Sequence, residues 1–129
     1  MDEILRFSGT LAWDAEIDQW IADQDHDLGL IALEWFSQLR ERGDDVRELM
    51  HDTHPVACVD DAPFAYVNVF TSHANLGSFL GAELDDPAGL LEGTGKRMRH
   101  VKLRHDVEPE RQLLAELIEA AYADIKTRL

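Results

Sequence analysis

The chain has 129 residues, with 26 acidic and 12 basic side chains and a formal charge of −14. That charge excludes a general nucleic-acid binder, because so negative a field repels a polyanion over a Debye length of about 10 Å, and it disfavours anionic membrane surfaces. With 45% apolar residues and no apolar run near membrane-spanning length, the sequence reads as one soluble acidic domain over residues 1–129, large enough to bury a core without staples.

Trp13, Ile17, Trp20 and Ile21 predict a short first helix. From Leu28 the apolar positions Ile31, Ala32, Trp35, Phe36 and Leu39 recur at helical spacing, with Asp27 as the cap and Gly43 as a left-handed stop. Val46 to His51 reads as one more helical turn or two. The period then changes to two, as in antiparallel strands joined by hairpins. Val56 to Val59 is one strand, Asp60, Asp61, Ala62 and Pro63 a turn, and Phe64 to Thr71 the next strand. In that second strand Ala65, Val67 and Val69 share one face, and Tyr66, Asn68 and Phe70 the other. A third runs from about Leu76 to Leu80, and a fourth from Arg97 to Arg104 points Val101 and Leu103 inward and His100, Lys102 and Arg104 outward. Pro109 fits the first turn of a last helix whose apolar stripe is Leu113, Leu114, Leu117, Ile118, Ala121, Tyr122, Ile125 and Leu129. The expected class is α+β, an antiparallel sheet flanked by N- and C-terminal helices that pack most simply on one face.

Charge is strongly segregated along this plan. Residues 1–34 carry nine acids and one base, whereas Lys96, Arg97, Arg99, Lys102 and Arg104 make residues 96–105 a basic island without an acid. The densest acidic run, Asp14, Glu16, Asp18, Asp23, Asp25 and Asp27, could set several carboxylates on one edge. Hard cations take such oxygens, though an EF-hand's glycine and terminal glutamate are missing. His51 and His54, with His73 or Cys58 approaching from neighbouring strands, have donor types suited to zinc or iron, but a spacing that equally describes two loop histidines. Cys58 reads as a buried small hydrophobe in a β-prone run. One cysteine, together with an N-terminus (Met1, Asp2, Glu3) lacking the pattern of a signal peptide, fits a reducing cytoplasm.

Gly77, Gly81, Gly89, Gly93 and Gly95 crowd the stretch before the basic island. Gly93, Thr94, Gly95, Lys96 superficially matches a phosphate loop, yet the upstream glycine position is Leu90 and Arg97 stands where Ser or Thr is needed. A strand, not a helix N-terminus, follows, so these glycines read as turn and close-packing positions. There is no nucleophile elbow, and Ser72 beside His73 is no triad.

Phe64 to Phe70, then His73, Asn75, Leu76, Gly77, Gly81 and Leu84, then Asp86, Pro87, Ala88, Gly89, Leu90, Leu91, running through Gly93, Thr94, Gly95, Lys96 into Met98, Arg99, His100, Val101, Lys102, Leu103, resemble the YdhG-like family of small bacterial domains. The likeness covers roughly residues 46–128, leaving the acidic helical region 1–45 outside it. Ser78 departs from the pattern, which usually has an aromatic residue after the glycine. The resemblance implies a frataxin-like sandwich, and some members are regarded as iron chaperones; no catalytic residues carry over.

Two functional expectations follow. The leading one is a non-enzymatic binding domain, a weak Fe²⁺ carrier using Asp14, Asp18, Asp23, Asp25 and Asp27 and releasing iron to a receiving protein. The alternative is a small-anion or metabolite site lined by His73, Asn75, Arg99, His100 and Lys102, with enzymatic action on that ligand left open. A homodimer through exposed aromatics such as Tyr66 and Phe70 is a further expectation.

Overall fold

Among the described residues the chain forms three α-helices, one short 3-10 turn at Gly81–Glu83 and five strands. The protein is described from a computed structural model covering residues 4–129. Met1, Asp2 and Glu3, on which the leader expectation rests, lie outside the described residues. The helices are α1 (Ala15–Ala22), α2 (His26–Arg40) and α3 (Arg111–Thr127). The strands are β1 (Val46–His51), β2 (His54–Val59), β3 (Ala62–Val69), β4 (Ala74–Ser78) and β5 (Arg99–Leu103). All neighbours are antiparallel in the order β1-β2-β3-β4-β5, an α+β architecture with helices before and after one meander.

Val46–His51 is a strand and not a helical turn. It pairs with β2 from Val46↔Val59 to His51↔His54. Asp52 and Thr53 close the hairpin at φ of 50° and 69°, the left-handed backbone that suits a two-residue hairpin turn. Neither is glycine, so the usual turn signal is missing. Val46, Leu49 and Met50 fall at i, i+3 and i+4, which in six residues imitates a helix face.

Helix ends also differ from expectation. Asp14 caps α1 by accepting from the Glu16 amide at 2.9 Å. α2 starts at His26 after Asp25, placing Asp27 inside the first turn, where a carboxylate faces the positive helix end. It stops at Arg40 with Glu41 in a right-handed conformation, so Gly43 is not a left-handed stop. Gly43 instead lies under the Tyr122 hydroxyl and the Asp45 carboxylate, where a Cβ would be inside van der Waals contact. Pro109 precedes α3, whose N-cap is Glu110.

All three helices cover one sheet face. Ile17, Ile21, Trp35, Phe36, Leu39, Leu114, Ile118 and Ile125 meet Ala57, Val59, Ala65, Val67, Leu76 and Leu103 in the main core. The other face carries a smaller cluster, Leu49, Val56, Cys58 and Phe79 with Phe7 and Tyr66. No helix among the described residues is long and apolar enough to cross a membrane.

Candidate functional site

Strand register assembles the outer face of β4 and β5. Residues directly opposite in an antiparallel pair share a face. Tyr66↔Gly77↔His100 therefore form one row, and Asn68↔Asn75↔Lys102 the next. Ala74↔Leu103 turns to the helices, so alternation returns His73 and Arg104 to the outer side. Phe70 stacks on His73 with ring centroids 4.9 Å apart and an interplanar angle of 19°. In the first row the Tyr66 ring lies over Gly77 so closely that a Cβ there would collide with it, and Phe79 meets Tyr66 edge-on at 5.6 Å.

Four of the five residues expected to line an anion site, His73, Asn75, His100 and Lys102, thus share this face. Partial burial lowers the His73 pKa first, followed by the positive fields of Lys102, Arg104 and His100, while Glu92 opposes them. Arg104 belongs to the group; the alternation of the basic strand already turned it outward. Asn75 Oδ1 is buried without a hydrogen-bond partner. Asn68, its cross-strand neighbour, turns its own carbonyl oxygen to the Val69 amide at 2.9 Å.

The fifth residue is elsewhere. Arg99 pairs with Ser78, its stem packs against Gly81, and its guanidinium donates to the carbonyls of Gly95 at 2.5 Å and Met98 at 2.7 Å. It braces the glycine-rich loop from within. That also explains Gly81, whose Cβ would strike the Arg99 stem.

The acidic run is divided among separate tasks. Asp14 caps α1; Asp18 accepts from Trp13 Nε1 at 2.6 Å and pairs with Arg40 at 3.0 Å; Asp23 accepts from Gln19 at 2.8 Å. Asp25 stands at the N-cap position of α2 without a side-chain cap hydrogen bond, and Asp27 lies 3.7 Å from His105. His51 stacks on Phe7 at 4.0 Å, and His54 lies against Tyr66 at 5.0 Å. Cys58 is buried, and that burial, aided by Asp61, pushes its thiol up to about 12, which opposes the thiolate a metal needs. Among the described residues no group of three or more His, Cys, Asp or Glu is placed to hold a metal ion.

Fold and site together define an α+β domain with a helical layer on one sheet face and a cationic patch on the other. Compared with protein-family models, curated proteins and solved structures, the chain matches none.

Proposed function

We propose that the protein is a binding domain for a small anion, held on the outer face of β4 and β5 by His73, His100, Lys102 and Arg104. The observation that carries this reading is their convergence: in a chain of charge −14, strand register and alternation bring Lys102 and Arg104 to one sheet face with the imidazoles of His73 and His100. Lys102 supplies a point charge, Arg104 a fork matched to phosphate or carboxylate oxygens, and the imidazoles supply N–H donors when protonated. The partnerless Asn75 Oδ1 favours an anion that also carries a hydroxyl or N–H donor.

The finer fold assignment, a frataxin-like sandwich of the YdhG-like kind, is also a proposal, supported by the order of helices, meander and helix. Weak Fe²⁺ carriage by the aspartates gains no support from their placement, with Asp14 in a helix cap, Asp18 paired with Arg40 and Asp23 bonded to Gln19. A cytoplasmic setting suits the buried thiol of Cys58.

Calorimetric titration with inorganic phosphate tests the reading. Saturable binding at millimolar dissociation constant or tighter, about 4 kcal/mol or more, is expected, with loss in the Lys102→Ala, Arg104→Ala double variant. No heat beyond dilution, or equal binding by that variant, would overturn it.

A further inference from the structure

Among the described residues each edge strand of the sheet is met by one isolated bridge. At β1 Leu11 and Glu48 exchange main-chain hydrogen bonds of 2.8 and 2.7 Å, and the Arg47 side chain adds a bond to the Thr10 carbonyl at 2.8 Å. At β5 the main-chain cover is likewise one residue wide. Glu92 exchanges main-chain bonds of 2.7 and 3.0 Å with His100, and there the pairing stops. The Asp86 carboxylate takes the amides of Leu90 and Leu91 at 3.0 and 2.8 Å, drawing the chain off the edge before it reaches Lys102.

Because His100 bonds outward to Glu92, Lys102, two residues on, turns its own N–H and C=O outward as well. At that point β5 borders a cleft of about 460 Å³, a size typical of ligand sites. Ile31, Trp35 and Leu103 line it together with Val107, which is 59% exposed. Of the three acidic groups that line it, Glu34 and Glu108 are already paired with Arg111, and Glu92 stands beside its main-chain bridge to His100, short of Lys102. Lys102 and Arg104 remain as the cations at the strand.

We propose that this edge binds an extended peptide segment of a partner protein, added antiparallel to β5 as a sixth strand. The partner residue opposite Lys102 lies on the outer face beside Lys102 and Arg104 and is acidic. Its two neighbours point to the helix side, over Ile31, Leu103 and Val107, and are apolar. A second copy of β5 is a poor occupant, since two-fold pairing would bring the basic islands together.

The test uses a capped, fluorescently labelled peptide of alternating Val and Glu, followed by anisotropy, against the same peptide N-methylated at its central Glu. Saturable binding is expected, weakened about tenfold by the methyl group, which removes one main-chain hydrogen bond. The Lys102 amide should exchange more slowly with solvent in the complex, while the Val101 amide, directed to β4, is unchanged. Val107→Asp, at an exposed wall position, should weaken binding with circular dichroism unaltered. No saturation at millimolar peptide, equal binding of the N-methylated peptide, or an unchanged Lys102 amide would each overturn the proposal.

Discussion

Replacing Glu48 with Gln perturbs a carboxylate buried at the centre of the fold. Glu48 is 1% exposed, and its oxygens accept from Arg40 Nε at 2.8 Å, Arg40 Nη2 at 2.6 Å and the Asp14 amide at 2.9 Å. The Arg40 side chain is 9% exposed and lies 3.6 Å over the Trp13 ring, so without Glu48 a buried guanidinium keeps only the half-exposed Asp18 as its counter-charge. Removing one partner of a buried pair costs about 3–5 kcal/mol, and the remaining Asp18 places this case near 3. With an unfolding entropy of about 2.1 cal/mol/K per residue over 129 residues, that lowers the melting temperature by about 11 °C. Asp18→Asn, at a half-exposed site where water screens the pair and Glu48 still holds Arg40, should cost under about 1 kcal/mol. Replacing both Arg40 and Glu48 with Leu should recover part of the single variant's loss, since apolar substitution of a buried pair is often near neutral, although the Asp14 amide loses its acceptor. Urea unfolding followed by tryptophan fluorescence measures all three. A Glu48→Gln loss below about 1 kcal/mol, or a double variant worse than the single, would refute the reasoning.

Gly77→Ala should cost about 1–3 kcal/mol through collision with the Tyr66 ring, and Tyr66→Leu should relieve it; additive losses in a double-mutant cycle contradict that contact. Cys58, with its thiol pushed up to about 12, should react with Ellman's reagent at pH 8 only as fast as the protein opens, and burst labelling of native protein contradicts its burial. Burial holds His54 below its ordinary 6.5, so as pH falls the unfolded chain takes up that proton first. The stability contributed by neutral His54 is therefore complete above about 6.5 and declines as pH drops toward the folded value. His54→Gln should flatten this part of the urea-midpoint profile, and an unchanged slope contradicts it.

Long periodic elements were legible from the residues: Leu28 to Leu39 and Leu113 to Ile125 are helical, and alternation in the last strand turned His100, Lys102 and Arg104 outward. β1 was missed because Asp52 and Thr53 adopt a turn usually marked by glycine or asparagine, while Val46, Leu49 and Met50 carry helical spacing by coincidence. Gly43 looked like a helix stop because its true constraint, Tyr122, is far away in sequence. Arg99 lies among site-forming neighbours in sequence, yet its position near the strand start and the carbonyls of Gly95 and Met98 draw it into the loop. Nothing local announces that Asp18, Arg40 and Glu48 meet; the acidic run looked like a cation edge because its partners are supplied by tertiary structure.

The outer-face anion site is tested most directly by following the His73 imidazole by NMR across a pH titration, with and without inorganic phosphate. In phosphate-free solution His73 should titrate below its ordinary 6.5, held down by partial burial and by Lys102, Arg104 and His100. A bound anion favours the imidazolium, so saturating phosphate should raise that value, and phosphate affinity should increase as pH falls through it. The rise should vanish in the Lys102→Ala, Arg104→Ala variant. A His73 titration that phosphate leaves unmoved, or moves equally in that variant, would contradict an anion site on this face.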